Sequence, residues 1–381
     1  MLGLTSWGLL VLLLLVLALV VALVVLRGWN RLAGRGPLAL AGRAGVMAGV
    51  QLVIVALVLT AVNKYYLFYG SWSDLLGAAG GKAQVTEKPP SNPNATASSQ
   101  VKVTPAAQLG PGHGRTPAKD GLVQHLDIQG VRTGLRSEAY VYLPPQYFQK
   151  KYAVTRFPVA LFIAGYPAAD RLTWIDKGHV PEEAFLQMST GKAKPMIYVM
   201  MRPTVENGWD TECADVPRGP QVETFFAQDI PDAVTQTYKG RVARDRRGWG
   251  LAGYSTGGFC ATKLAMLHAD RFSAASSMAG HFHALLDTTT RDLYGGSKAL
   301  RNSSNLTWRL KNLPQPPVSI LVASALTGEK TYPSAQKFMA AARPPLVVDK
   351  WMLPSGGHNF KAFRKYIPPT ITWLSDHLQG E

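Results

Sequence analysis

The chain has 381 residues, a formal net charge of +16 and two cysteines. No run of Lys and Arg alternates with aromatic residues, which argues against nucleic-acid binding. The sequence has no C-x-x-C motif and no His/Cys cluster of the kind that holds a metal ion. It therefore implies neither a metal nor another cofactor, and its length allows one large domain with additional segments.

Two long apolar runs lie near the N-terminus, at residues 7–26 and 44–62. Each is close to the roughly 20 apolar residues that span a bilayer. The loop between them carries four arginines and no acidic residue, namely Arg27, Arg31, Arg35 and Arg43. Because cytoplasmic loops are enriched in Lys and Arg, this loop is predicted to be cytoplasmic. We therefore expect residues 1–70 to form a two-pass cell-membrane anchor, with the rest of the chain outside the cytoplasm.

Two other interpretations compete with this anchor. The first run could be a signal peptide, but no basic segment precedes it, and an arginine rather than a small-residue cleavage site follows it. Both runs could also be buried helices of a soluble domain. Their uninterrupted length and the arginine-rich loop argue against that interpretation.

Residues 71–119 differ in composition from the segments around them. They include stretches rich in Pro and Gly at 89–94 and 110–114, and few large apolar side chains. Such a segment buries too little apolar surface to offset the entropy that it loses on ordering. We predict a flexible linker here, followed by a globular domain at residues 120–381.

Apolar segments of strand type alternate with helix-forming segments in the globular domain. Strands are predicted at 122–131, 138–143, 158–163, 195–201, 247–252, 272–278, 318–323 and 346–353, and helices at 180–188, 222–238, 259–268, 333–342 and 360–378. The segment 302–317 shows no periodicity and is predicted to be a loop or lid. The alternation is typical of an α/β fold whose mostly parallel sheet has helices on both faces. Active sites of such sheets lie at the carboxyl ends of the strands.

A G-x-S-x-G motif stands at residues 253–257, between a predicted strand and a predicted helix. In this context the motif is a nucleophile elbow, which raises the serine above the edge of the sheet. Side chains at Gly253 and Gly257 would collide across so tight a bend. We predict Ser255 as a nucleophile; the alternative is a glycine-rich turn without chemistry.

A nucleophilic serine needs a histidine base and an acid that orients it, in the chain order Ser, acid, His for this fold. His358 lies in the loop after the last predicted strand, and Glu329 is the only carboxylate in the loop after the strand before it. We predict these two as base and acid, although Glu329 could instead be a solvated loop charge. His281 and His283 follow the strand after the elbow and could line the active-site pocket or form an ordinary loop pair.

Backbone N–H groups must stabilise the negative charge that develops on the substrate oxygen during attack. One predicted donor is Thr256, which follows the nucleophile. The other is Gly165 or Tyr166, in the loop after the strand 158–163.

The two cysteines, Cys213 and Cys260, both belong near the predicted active-site edge. Cys213 lies in a loop after a strand, and Cys260 lies in the first turns of the helix that follows the elbow. In an oxidising compartment, two cysteines in one neighbourhood favour a disulfide. The alternative is two buried thiols.

The elbow, the Glu329 loop and the segment 357–360 resemble the α/β-hydrolase esterase family that includes esterase-D-type enzymes and the mycobacterial mycolyltransferases. The two apolar runs, the stretch 69–76 and the surroundings of the cysteines resemble, more narrowly, membrane-anchored actinobacterial members. The resemblance implies an α/β-hydrolase fold, with Ser255 as nucleophile, His358 as base and acid, and Glu329 as orienting acid.

The motifs together predict an extracytoplasmic serine carboxylic-ester hydrolase or acyltransferase that acts through an acyl-Ser255 intermediate. Its expected substrate is an acyl ester such as an envelope lipid or glycolipid. The competing hypothesis is a catalytically silent envelope protein that uses the same fold for binding or scaffolding.

Overall fold

The structure is a computed structural model that describes residues 6–28, 34, 36–66, 72–75, 99–111, 116–167, 171–205 and 209–381. It divides into two compact units, Met1–Ala79 and Gly80–Glu381.

The first unit contains two long helices, α1 (Trp7–Leu23), which continues through a turn at Val24–Gly28, and α2 (Pro37–Tyr66). By length and composition, the segments Trp7–Leu26 and Pro37–Lys64 could each cross a membrane, with mean hydropathies of 3.7 and 2.4. Most of their apolar side chains are exposed, unlike those of a buried core helix.

The second helix is longer than its predicted apolar run. It begins at Pro37, so Arg43 lies on α2 rather than in the loop between the helices. Its side chain donates a hydrogen bond to the carbonyl oxygen of Gly34, at 2.7 Å. The helix extends beyond the apolar run because the preceding residues are mainly Ala and Leu, which favour helix. Arg31 and Arg35 lie outside the described residues.

The second unit is built on one mixed sheet, whose described part has nine strands in the order β1-β2-β3-β5-β4-β6-β7-β8-β9. The strands are β1 (Gln100–Pro105), β2 (Leu122–Gln129), β3 (Arg136–Leu143), β4 (Val159–Ile163), β5 (Ile197–Met201), β6 (Trp249–Tyr254), β7 (Ala274–Met278), β8 (Ser319–Ala325) and β9 (Val347–Leu353). The strands β1, β2, β3 and β5 pair antiparallel, whereas β5, β4 and β6 to β9 pair parallel.

Helices cover both faces of this sheet. They are α3 (Val180–Ser189), α4 (Ile230–Thr237), α5 (Thr256–Leu267), α6 (Lys298–Ser304), α7 (Leu306–Asn312), α8 (Tyr332–Ala341) and α9 (Phe360–His377). Successive strand residues point to opposite faces. Ser276 of β7 is hydrogen-bonded to Thr370 of α9, and Ser277 approaches Gly258 of α5, so α9 and α5 lie on opposite faces.

The central strands explain the apolar segments of the sequence. Every residue of β4, β5, β6 and β7 is buried. Because both faces are covered, these strands have near-continuous apolar runs rather than alternating ones. This is the predicted α/β-hydrolase fold.

One part of the predicted linker is wrong. Residues Gln100–Pro105 form β1, which pairs antiparallel with β2 along its whole length, so the folded unit begins before residue 120. The strand is almost entirely exposed, but Val101 packs against the core. Backbone hydrogen bonds to β2 order a segment that contributes few apolar side chains. Residues 76–98 and 112–115 of the predicted linker lie outside the described residues.

The predicted loop at 302–317 is also wrong, because α6 and α7 occupy most of it. Ser297 and Asn305 cap the two helices by accepting the N–H groups of Leu300 and Trp308. Each helix has only seven residues, too few for a periodicity to be visible in the sequence. Side-chain caps and the burial of Leu306 therefore decide the conformation.

Candidate active site

Ser255 lies at the sharp turn between β6 and α5, with φ 56° and ψ −125°. Residues other than glycine rarely adopt a positive φ, and those that do must be held there by their surroundings. The Ser255 N–H donates to Met278 O at 3.0 Å, and its carbonyl oxygen accepts the N–H groups of Gly258 and Phe259. These bonds hold the strained residue with its hydroxyl at the carboxyl end of the central strands.

The glycines on either side of Ser255 leave no room for a side chain. A Cβ atom on Gly257 would lie 2.0 Å from Ile163 O and 2.4 Å from Ala164 O, and one on Gly253 would lie 2.2 Å from Gly257 C. These contacts are with backbone atoms, which cannot rotate away. The predicted collision is therefore present, and it involves the end of β4 as well as the elbow itself.

The side chains of Ser255, His358 and Glu329 form one hydrogen-bonded chain. His358 Nε2 lies 2.7 Å from Ser255 Oγ, and His358 Nδ1 lies 2.9 Å from Glu329 Oε1. Glu329 follows β8 and is buried, whereas His358 follows β9 and is partly exposed. A neutral imidazole that donates its Nδ1 hydrogen to Glu329 can accept the serine proton at Nε2.

Glu329 is ionised in spite of its burial. Burial alone raises the pKa of this carboxyl group, but the hydrogen bond and the charge interaction with His358, together with the N–H of Thr331, lower it below its ordinary value. The acid is therefore available as a charge at neutral pH, and it is not a solvated loop residue.

Two further glycines lie where the loop that carries Glu329 contacts the loop that carries His358. Gly328, at φ 81°, packs so closely on Gly356 that an added Cβ atom would lie 2.0 Å from Gly356 O. The N–H of Gly356 also donates to Thr327 O at 3.0 Å. These backbone contacts hold Glu329 and His358 at a fixed separation. In the sequence, a glycine near each of these two residues indicates that the loops approach each other closely.

The predicted oxyanion donors lie next to the nucleophile. In the parallel pair β4–β6, Ile163 is level with Gly253, which brings the loop after β4 to the elbow. A Cβ atom on Gly165 would lie 2.9 Å from Ser255 Cβ. The N–H groups of Thr256, Gly165 and Tyr166 have no hydrogen-bond acceptor among the described residues. They are therefore available to bind a substrate oxygen.

The two histidines that follow β7, His281 and His283, do not contact the side chains of Ser255, His358 and Glu329. His281 is buried, lies 2.8 Å from Glu212 Oε1 and stacks on Phe259. His283 lies 3.1 Å from Ser334 Oγ. His281 thus takes part in an internal hydrogen-bond network rather than in the Ser255 site.

A buried carboxyl group, Asp210, adjoins the elbow and was not singled out by the sequence. Its Oδ2 accepts the Thr256 hydroxyl at 2.9 Å, and its Oδ1 accepts the N–H of Glu212 at 3.1 Å. Burial, and then the charge of Glu212, raise the pKa of Asp210 to about 6. The only signal in the sequence was a pair of acids before Cys213.

The structure joins Cys213 and Cys260 in the predicted disulfide. Three residues on one face of α5 hold the loop that contains Cys213. Cys260 forms the disulfide, and the Thr256 hydroxyl donates to Asp210. Lys263 Nζ donates to Cys213 O at 2.9 Å. Their spacing of four and three residues places them on one stripe of the helix. The loop that begins at Asp210 is therefore fixed against the helix that begins directly after Ser255.

The raised pKa of Asp210 predicts a pH-dependent gain in stability for Asp210→Asn. The folded pKa, about 6, exceeds the ordinary value of 3.8, so the native state binds more protons than the unfolded state between these values. The contribution of Asp210 to the free energy of unfolding should therefore fall by about 3 kcal/mol as the pH rises through this window. The free energy of unfolding of Asp210→Asn, minus that of the parent, should rise by about 2 kcal/mol from pH 4 to pH 7, as measured by thermal unfolding. A stability difference that stays constant over this pH range would contradict the prediction.

Comparison with known proteins identifies the family. The Esterase family model (putative esterase) matches residues 131–332, which is more than half of the chain. The chain belongs to this esterase family. Three of the residues that form the Ser255 site region, Gly253, Ser255 and Glu329, lie within the matched segment.

Individual relatives of this esterase are distant. An uncharacterised protein of Corynebacterium glutamicum is 22% identical over 258 residues, which are 62% of this chain and 57% of that protein. The chain thus matches little more than half of the length of that relative.

Solved structures similar to this esterase include a ferulic acid esterase (TM-score 0.51, 19% identity, 74% of this chain and 99% of that one). Others are the fluorophosphonate-binding serine hydrolase F of Staphylococcus aureus (0.54, 16%, 67% and 98%) and an S-formylglutathione hydrolase of Agrobacterium tumefaciens (0.55, 15%, 68% and 96%). At these identities, the likeness supports the fold alone.

Proposed function

We propose that this esterase acts through an acyl-enzyme intermediate on Ser255, with His358 as general base and acid and Glu329 as orienting acid. The observation that supports this is the continuous chain of hydrogen bonds from Glu329 through His358 to Ser255. The strained backbone of Ser255 is a second support, because strain of this kind is concentrated at active sites.

The proposed reaction has two steps. Ser255 Oγ attacks the ester carbonyl carbon while its proton moves to His358 Nε2, and Glu329 stabilises the imidazolium. The oxygen that becomes negative binds the N–H of Thr256 and that of Gly165 or Tyr166. The leaving alcohol takes the proton from His358, and water or a second alcohol then attacks the acyl-Ser255 by the reverse route.

If a second alcohol takes the place of water in this step, the enzyme is also an acyltransferase. We propose that it works outside the cytoplasm on an acyl ester of the cell envelope, a lipid or glycolipid, and that residues 1–70 anchor it. Support comes from the two apolar helices, the arginines between them, and the disulfide, which persists in oxidising compartments.

Active-site labelling tests the proposed function. A fluorophosphonate probe should modify the full-length protein at Ser255, as located by peptide mass, and a membrane-impermeant version should do so on intact cells. Hydrolysis in the presence of glycerol should give acylglycerol if transfer occurs. Failure of the probe to label Ser255 would favour the scaffold hypothesis, and labelling only after lysis would contradict the extracytoplasmic location.

The role of Glu329 predicts a large loss of activity in Glu329→Gln. The amide lacks the charge that stabilises the imidazolium, and it can hold the wrong tautomer of His358, so kcat should fall by about 10²- to 10⁴-fold. Hydrolysis of a p-nitrophenyl ester measures this. Glu329→Asp keeps the charge and should recover part of the activity. A Glu329→Gln enzyme of parental activity would contradict the role.

A further inference from the structure

A pocket of about 560 Å³ lies beside the loop that carries Glu329. It is formed by residues from the loop after β7, from α7, from the loop after β8 and from α8. The side chains that matter here are Lys311, Lys330, Lys337, His283, Trp308 and Ser334. Neither Ser255 nor His358 lines this pocket, so it is a second site on the catalytic unit.

The permanently charged side chains that line this pocket are all positive. Lys311, Lys330 and Lys337 are exposed, come from three different elements and form no ion pair with a described carboxylate. No Asp or Glu lines the pocket. Unpaired cations from separate elements around one pocket give a positive potential, which a bound anion would neutralise.

Polar and aromatic groups complete the pocket. Ser334 Oγ accepts the N–H of Phe282 and lies 3.1 Å from His283 Nδ1, so both side chains have fixed positions. Partial burial lowers the pKa of His283, and the nearby positive charge of Lys337 lowers it further, against the opposing charge of Glu212. A neutral imidazole can donate a hydrogen bond without adding charge.

We propose that this pocket binds a phosphate ester of a polyol. Lysine ammonium groups are point charges that suit a phosphate, and its several oxygens can be shared among three lysines. The volume is far larger than a phosphate group needs, and Trp308 offers a flat apolar wall for a polyol backbone. The ligand is either a soluble phosphate ester or the headgroup of an anionic lipid, since both present the same chemistry.

Calorimetric titration of the full-length protein in a neutral detergent tests this proposal. The probes are glycerol 1-phosphate, a short-chain phosphatidylglycerol and, as the uncharged control, glycerol. The triple variant Lys311→Ala, Lys330→Ala, Lys337→Ala should bind both phosphate probes at least about tenfold more weakly than the parent. Binding of both probes with similar affinity indicates a soluble ester, and much tighter binding of the lipid indicates a headgroup; either result supports the proposal.

A matched variant separates this pocket from the overall positive charge of the protein. Lys150→Ala, Lys151→Ala, Lys239→Ala removes three exposed lysines outside the pocket and makes the same change in net charge. It should alter the affinity by less than about twofold. Equal weakening in both triple variants, or no binding of either phosphate probe by the parent, would overturn the proposal. Thermal unfolding of each variant verifies that it is folded.

Discussion

Replacing Ser255 with alanine is expected to lower kcat/KM for p-nitrophenyl ester hydrolysis by about 10⁴-fold or more. The variant has no atom that can form an acyl-enzyme, while the N–H groups of Thr256 and Gly165 can still polarise the ester. A small residual rate is therefore expected. The fold should survive, because Ser255→Ala removes one oxygen atom and the backbone of alanine can form the same hydrogen bonds.

The three proposed catalytic residues should behave as one unit. Because every proton transfer of His358 belongs to the route through acyl-Ser255, Ser255→Ala combined with His358→Ala should be no slower than Ser255→Ala alone. The exposed Ser189→Ala on α3 serves as the matched control and should retain full activity. Equal rates for the parent and Ser255→Ala would show that Ser255 is not the nucleophile, whatever its hydrogen bonds.

The catalytic half of the fold was predictable because parallel strands with both faces covered must be apolar. The segments that became β4, β5, β6 and β8 are such runs, and the motif around Ser255 marks one strand end. Chain order then restricted the acid and the base to the loops after β8 and β9. Each of those loops offered one suitable side chain, Glu329 and His358.

The features that the sequence did not reveal depend on partners far away in the chain. The strand β1 is ordered by its pairing with β2 rather than by its own apolar side chains. The helices α6 and α7 depend on caps and on a few buried residues. Asp210 adjoins Thr256 in a loop that a disulfide and a buried lysine hold to α5. Local composition contains none of this information.

Gly257→Ala is expected to destabilise the protein by about 4 kcal/mol or more, which is exceptional for a single methyl group. The added Cβ atom would lie 2.0 Å from Ile163 O and 2.4 Å from Ala164 O. Relief requires α5 to move away from the end of β4, and α5 is fixed by the disulfide and the buried Lys263. Gly257 does not have a positive φ, so this cost is steric.

The matched control is Gly110→Ala, where the nearest atom to the new Cβ lies 3.5 Å away and φ is −93°. It should unfold close to the parental temperature, whereas Gly257→Ala should unfold far below it or fail to accumulate. A Gly257→Ala protein of parental stability would mean that the end of β4 does not approach the elbow so closely. Gly165 lies two residues after that strand end, so the same result would also remove the support for its N–H as an oxyanion donor. The variant therefore tests the steric basis of the elbow and the second half of the oxyanion hole together.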